Sequence, residues 1–287
     1  MKLGVNTSVW SRAGYSLPET LYQVSKTGLR YVDIFGKGHG DPTLLSQNKE
    51  LLAAMEGALN QNDLIVASYC ALVPRNPGNA SWNEENLAYM GSSMELALRW
   101  NCKKVILDTG EREKGLSFDA AWLNLQTLAR RCADKAEKLG IILTLELEPY
   151  GYHLVNTLEK VLELVAGVSS PALLVNVDTG HLNVIRAEPS DLMCLRGLVA
   201  HVHLSDNLGA LDSHDEIGLG TAPNGAYLRA LMEAGFEETA KRLSAPAVAS
   251  MEIHNLLIPP LATPSPNVQV IRSKDRIMAE FPGLEVR

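Results

Sequence analysis

Short apolar runs alternate with longer amphipathic stretches along the chain of 287 residues. Eight runs have the length and the aliphatic content that favour buried strands. They comprise residues 3–9, 31–35, 64–70, 105–108, 141–146, 173–178, 199–204 and 247–253. Stretches with helical patterning separate most of them, for example residues 17–28, 82–100 and 118–140. Eight strand–helix units in series predict one closed parallel barrel, the (β/α)₈ or TIM barrel.

Local signals at the helix ends agree with this pattern. Ser117 is a good N-cap for the helix at 118–140, and Gly140 suits its C-terminus. Leu17 is followed by Pro18 and Glu19, a typical first turn. No glycine-rich turn follows the first run, as an open dinucleotide-binding sheet would usually have. These features favour a barrel over a doubly wound sheet.

No linker divides the chain, so we predict one barrel over residues 1–287. The one biased segment is LIPPLATPSP at 257–266. We expect residues 257–287 to form a proline-rich wrap and a closing helix at about 267–281. The loop at 206–224 is long and polar, and such loops usually serve function. We therefore expect it to wall a pocket.

Composition narrows the partners and the compartment. There are 26 Lys plus Arg against 33 Asp plus Glu, a net charge of −7, which argues against a nucleic-acid binder. No apolar stretch approaches the length of a membrane helix, and the N-terminus lacks the apolar core of a signal peptide. The four cysteines form no C-x-x-C pair, so we expect buried, reduced thiols and a cytoplasmic protein. The sequence leaves open a homo-oligomer.

The last four runs end in carboxylate or imidazole side chains. These are Glu146, with Glu148 beyond it; Asp178, followed by His181; His201 and His203, followed by Asp206; and Glu252, followed by His254. Strand ends meet at one face of a barrel, where catalytic groups sit. Unpaired carboxylates are costly to bury, yet they follow apolar runs here. The pattern predicts a site for a divalent ion such as Mn²⁺, Mg²⁺, Co²⁺ or Zn²⁺.

Each of these residues also has an ordinary structural interpretation. A strand-end glutamate is usually solvated or paired, and either His201 or His203 could be a hydrogen-bonded core histidine. The segment Asp178-Thr179-Gly180-His181 could be a helix cap. The coincidence on four successive strands is what favours a metal site.

Five segments carry a resemblance to a known family. They are LGIILTLELEP, LLVNVDTGHLN, HVHLSDN, DSHDEIGLGTA and SMEIH, in this order between residues 139 and 254. In this combination the chain resembles the xylose-isomerase-like barrels. That superfamily includes sugar isomerases and epimerases, inosose-processing enzymes and an apurinic-site endonuclease with three zincs.

The resemblance implies four metal ligands, Glu146, Asp178, His203 and Glu252. Glu146 is chosen because the family's ligand usually lies six residues after the glycine that ends the preceding helix. Glu148 has the same side-chain parity and stays an alternative.

The resemblance also implies roles for residues near the four ligands. His181 resembles a family histidine that binds substrate or a second metal, and His201 would contact substrate or support a ligand. Asp212 and His214 match a D-x-H pair that holds another zinc in the endonuclease. In single-metal relatives this pair serves loop structure, so a second ion stays open. The endonuclease also needs histidines at the ends of strands three and four, where this chain has SYCALVP and ILDTGE.

The function that the resemblance implies is a metal-dependent isomerase or epimerase acting on a small sugar or sugar phosphate. Protons would move through a metal-stabilised enediolate, with Glu146 and Glu252 removing and returning them. A dehydratase acting on an inosose-like keto-polyol is the alternative. A metal-dependent apurinic-site endonuclease is less favoured, because of the acidic charge and the missing histidines. A metal-binding protein without activity is favoured least.

Overall fold

The computed structural model describes residues 1–256 and 264–286. Its strands are β1 Lys2–Asn6, β2 Tyr31–Phe35, β3 Ile65–Cys70, β4 Lys104–Leu107, β5 Ile142–Glu146, β6 Leu173–Asp178, β7 Val199–Leu204 and β8 Val248–Met251. Its helices are α1 Ser8–Arg12, α2 Leu17–Lys26, α3 Pro42–Gln47, α4 Lys49–Gln61, α5 Asn83–Arg99, α6 Phe118–Leu139, α7 Leu158–Val168, α8 Thr179–Val184, α9 Asn224–Glu233, α10 Phe236–Arg242 and α11 Pro266–Glu280. Short 3₁₀ segments lie at Gly38–Gly40, Ala80–Trp82 and Pro189–Leu195.

The eight strands pair in chain order and form a closed parallel barrel. Parallel pairing of β1 with β8, for example Lys2 with Val248 and Val5 with Met251, closes the ring. Nearly every strand residue is buried, because the outer faces pack on helices and the inner faces fill the barrel. The predicted (β/α)₈ barrel is confirmed. The carboxyl ends of β5 to β8 therefore lie side by side at one rim.

The first strand is shorter than the apolar run predicted. The prediction extended it over residues 3–9, but β1 ends at Asn6 and α1 begins at Ser8. The Asn6 side-chain oxygen accepts the backbone N–H of Ser8 at 2.9 Å, a local bond that favours a turn over extended chain. The apolar residues Val9 and Trp10 therefore face the core from a helix.

The predicted helix ends agree closely with the structure. The Ser117 hydroxyl accepts the backbone N–H of Ala120 at 3.2 Å, and Gly140 ends α6 with a φ of 67°. The predicted closing helix at 267–281 corresponds to α11. Residues 257–263 of the predicted proline-rich segment at 257–266 lie outside the described residues.

The cysteine prediction was wrong at one position. Cys70, Cys102 and Cys132 are buried and free, whereas Cys194 is exposed. It lies in the 3₁₀ segment Pro189–Leu195, whose leucines face the core and leave the thiol outside. Within the described ranges, no helix has both the length and the apolar character that crossing a membrane requires.

Candidate metal centre

Four side chains with metal-binding atoms meet at the carboxyl end of the barrel. They are Glu146 at the end of β5, Asp178 at the end of β6, His203 in β7 and Glu252 just after β8. All four are buried, and one ligand atom from each lies within 4.8 Å of every other. The structure thus brings together the four residues that the resemblance implies as ligands.

The Asp178 carboxylate is held in place by the start of α8. Its Oδ1 accepts the backbone N–H groups of Gly180 at 2.7 Å and His181 at 3.1 Å, and the hydroxyl of Ser205 at 2.7 Å. A Cβ on Gly180 would lie 2.1 Å from the Ser205 hydroxyl oxygen, so this position has no room for a side chain. Asp178 is therefore both the N-cap of α8 and a member of the four-residue cluster.

The second carboxylate oxygen of Asp178, Oδ2, is available to bind a cation. This Oδ2 is buried and has no hydrogen-bond partner in the described part of the chain. Leaving a buried carboxylate oxygen unpaired is unfavourable unless a cation neutralises it. Three carboxylates and one imidazole around one point are a donor set that suits a hard or borderline divalent ion. The residues present fit such an ion.

One nitrogen of His203 faces two of the carboxylates. Its Nδ1 lies 3.2 Å from Glu146 Oε1 and 2.7 Å from Glu252 Oε2. Burial favours the neutral ring, but Glu252 and Glu146 outweigh it and hold the pKa of His203 well above its usual value. Burial likewise opposes ionisation of Glu252, yet His203 and His254 hold the pKa of that carboxyl well below its usual range.

Glu148, the alternative ligand, lies outside the four-residue group. Burial raises the pKa of its carboxyl to about 8, with His181 opposing and Glu146 adding to the shift. The structure therefore places Glu146 in the cluster. Glu148 is a partly buried acid beside it.

A second cluster lies next to the first. Asp212 Oδ2 lies 3.0 Å from His181 Nε2 and 2.8 Å from His214 Nε2. The other ring nitrogen of His181 donates to the carbonyl of Leu147 at 2.5 Å. Burial opposes ionisation of Asp212, but His181 and His214 hold the pKa of its carboxyl far below its usual range. His214 is buried beside His181, as the loop hypothesis requires.

His254, which the sequence analysis named at a strand end without giving it a role, joins the two clusters. His254 stacks on His214 with ring centroids 4.5 Å apart, and its Nε2 lies 3.2 Å from Glu252 Oε1. Asn6 donates to the same oxygen at 3.2 Å. The signal was its place, two residues beyond Glu252 on the same strand end.

The long loop at 206–224 is organised by one carboxylate. Asp206 accepts four backbone N–H groups, from Asn207, Gly218, Gly220 and Ala222, at 2.7–3.0 Å. Both oxygens of Asp206 are thus used to fold the loop. That folding places Asp212 and His214 at the rim.

A further carboxylate, Asp33 of β2, lies beneath the cluster. Its Oδ2 lies 2.7 Å from His201 Nε2 and 3.4 Å from His203 Nε2, and all three side chains are fully buried. His201 Nδ1 lies 3.3 Å from the Lys104 ammonium. Burial lowers the pKa of His201 to about 4, with Asp33 opposing and Lys104 adding to the shift. Sequence reasoning missed Asp33, although a lone acid inside the apolar run YVDIF was a usable signal.

Fold and site together define a (β/α)₈ barrel with a carboxylate–imidazole cluster at the carboxyl ends of its strands. Residues 21–243 match the family model described as the xylose isomerase-like TIM barrel. The chain therefore belongs to that family.

Three relatives illustrate the likeness. Fructoselysine 3-epimerase of Escherichia coli is 28% identical over 163 residues, which cover 56% of this chain and 59% of that enzyme. The crystal structure of a D-tagatose 3-epimerase-like protein superposes with a TM-score of 0.78 at 20% identity, covering 98% of this chain and 97% of that one. The IolI protein with a bound zinc atom superposes with a TM-score of 0.75 at 19% identity, covering 98% and 97%. The relatives thus include sugar epimerases.

Proposed function

We propose that this protein is a divalent-metal-dependent sugar epimerase or isomerase. The observation that carries the proposal is the convergence of Glu146, Asp178, His203 and Glu252, with the unpaired Asp178 Oδ2 among them. The names of the related epimerases support the reaction class. A zinc-bound neighbour supports a metal.

The four residues would hold Mn²⁺, Mg²⁺, Co²⁺ or Zn²⁺. A divalent ion bound there would supply Lewis acidity toward the carbonyl and adjacent hydroxyl oxygens of a sugar. The two glutamates come from β5 and from the end of β8, on either side of His203. They can therefore reach a substrate from different directions. One removes the proton beside the carbonyl and the other returns it.

The two glutamates have unequal support. Glu252 is held at Oε1 by Asn6 and His254 and at Oε2 by His203. In the described part of the chain, the ion pair of the Glu146 carboxylate is with His203. Proton return to the opposite face gives epimerisation. Return to the neighbouring carbon gives aldose–ketose isomerisation, and loss of a β-hydroxyl gives the lyase alternative.

The accessory residues divide into two roles. His181, Asp212 and His214 lie at the rim, where they contact substrate or hold a second ion. His201 is fully buried with both nitrogens engaged, so of its two predicted roles we keep the support of a ligand.

The test is a panel of free and phosphorylated ketoses, with fructoselysine and inososes added. The protein is stripped with a chelator and reconstituted with each ion in heavy water. We expect an epimer or an aldose–ketose isomer that carries solvent deuterium on a carbon of the enediolate, formed only after reconstitution. Loss of water from an inosose would favour the lyase. Cleavage of abasic DNA, or turnover by metal-free protein, would contradict the proposal.

A further inference from the structure

A column of buried polar groups runs through the barrel below the cluster. It begins at Lys104, the first residue of β4, whose side chain is 1% exposed. The ammonium lies 3.3 Å from the carbonyl oxygen of Ala200, 3.1 Å from that of Pro246 and 3.3 Å from His201 Nδ1. Burial lowers the pKa of Lys104 to about 8, and Asp33 opposes this shift, so the amine is mostly charged at neutral pH.

The ammonium determines the direction of the hydrogen bonds above it. It has three donors and no acceptor, so the unprotonated nitrogen of His201 must be Nδ1. The proton of this neutral ring is then on Nε2, which donates to Asp33 Oδ2 at 2.7 Å. The Lys104 ammonium therefore determines that each hydrogen bond from Lys104 through His201 to Asp33 is donated toward Asp33.

The carboxylate of Asp33 also influences which ring nitrogen of His203 carries the proton. Asp33 accepts only, and the other ring nitrogen near its Oδ2 is His203 Nε2 at 3.4 Å. With an ion bound among His203, Glu146 and Glu252 in place of the Nδ1 proton, a proton on Nε2 would leave the Nδ1 lone pair to bind that ion. The side-chain amide nitrogen of Asn176 lies 3.1 Å from the same Nδ1.

We propose that Asp33, oriented by His201 and Lys104, is the positioning residue that selects the metal-binding tautomer of His203. The inference rests on the proposed function, because it assigns His203 as a ligand. Carboxylates that accept the second N–H of a ligating histidine fix its ring and strengthen it as a ligand. His203 Nε2 is buried without a hydrogen-bond partner in the described part of the chain, and Asp33 Oδ2, 3.4 Å away, is the acceptor placed to take its proton.

The first arm of the test measures affinity for Zn²⁺ by competition with a chromogenic chelator. Asp33→Asn keeps the shape but gives His201 and His203 a weaker, neutral acceptor to share. We expect the Kd to rise about 10–100-fold. Ser68→Ala is the matched control, since Ser68 pairs with Asp33 in the sheet, is fully buried and has a hydroxyl without a hydrogen-bond partner in the described ranges. Its Kd should match that of the wild type.

The second arm begins with the wild-type protein. Imidazole ¹⁵N resonances of wild-type protein should show His201 protonated on Nε2 alone and, with Zn²⁺ bound, His203 also protonated on Nε2. Lys104→Met should mix the His201 tautomers, a change that lost packing would not produce.

A His201 protonated on Nδ1, or a folded Asp33→Asn variant with wild-type Kd, overturns the role of Asp33. A wild-type protein that binds none of the four ions overturns the proposed function instead. The two failures are therefore distinguishable.

Discussion

The imidazole of His214 stacks on that of His254, with centroids 4.5 Å apart and planes 23° from parallel. The backbone follows the same contact, since the His254 N–H donates to the His214 carbonyl at 2.8 Å. His254 in turn contacts Glu252, so the two clusters form one continuous polar region. The rim loop is thereby coupled to a proposed catalytic carboxylate.

Replacing His214 with Ala should remove one side of the second cluster and leave the first intact. If the second cluster holds an ion, zinc content measured by mass spectrometry after dialysis should fall by one ion per chain, with the principal ion retained. If it serves substrate, kcat/KM should fall by about 10-fold or more, as for a lost hydrogen bond to a charged group. His39→Ala, a histidine that contacts the Tyr15 carbonyl, is the control. Unchanged metal content together with unchanged kinetics would mean that the loop only connects β7 to α9 and has no role in the site.

The two proposed catalytic glutamates should tolerate conversion to Gln structurally but not functionally. Glu252→Gln and Glu146→Gln preserve shape and remove the proton-transfer group, so kcat should fall about 10²–10⁴-fold. Circular dichroism checks the fold, and Glu233→Gln on the exposed face of α9 is the matched control. Retained epimerisation in either site variant would show that the proton is carried by another group.

The glycine of the D-T-G-H segment should be intolerant of a methyl group. A Cβ at position 180 would meet the Ser205 hydroxyl, so Gly180→Ala should cost about 1–3 kcal/mol of unfolding free energy by overpacking. Removing the hydroxyl relieves that clash. The double variant with Ser205→Ala should therefore lose less than the sum of the two single variants in urea denaturation. Strict additivity would mean that the contact is not what excludes a side chain.

Lys104 should make stability depend on pH in the alkaline range. Its pKa is lowered from 10.5 to about 8 in the folded protein, chiefly by burial. The unfolded chain therefore binds a proton that the folded protein has released between these values, and the free energy of unfolding rises with pH there. Relative to Lys104→Met, the wild type should gain up to about 3 kcal/mol. A difference between the two proteins that stays constant from pH 7 to 10.5 would contradict the assigned burial cost.

Sequence reasoning reached those parts of the site that sit at strand ends. Glu146 and Asp178 could be predicted because each ends an apolar run, and the barrel topology brings such ends together. Asp33 could not be paired from sequence, because its partners His201 and His203 are more than 160 residues away and meet it only inside the closed barrel. The end of β1 was missed for a local reason, the Asn6 turn, which competes with the apolar pattern of the residues after it.

The loop at 206–224 also shows what sequence reasoning could not predict. Its polar content indicated function, but the structure divides that content between folding and the rim. Asp206 uses its oxygens on backbone amides, while Asp212 faces two histidines. Composition cannot tell a carboxylate that folds the loop from one that faces the rim, because both occur in the same glycine-rich segment.

The most direct test of the central claim is an anomalous difference map from crystals of the protein loaded with Mn²⁺ or Zn²⁺. The account predicts a principal peak about 2.0–2.6 Å from oxygen or nitrogen atoms of Glu146, Asp178, His203 and Glu252. Asp178 Oδ2 and His203 Nδ1 should be among the contacting atoms. A map with no peak between these side chains, or with its strongest peak elsewhere in the barrel, would contradict it.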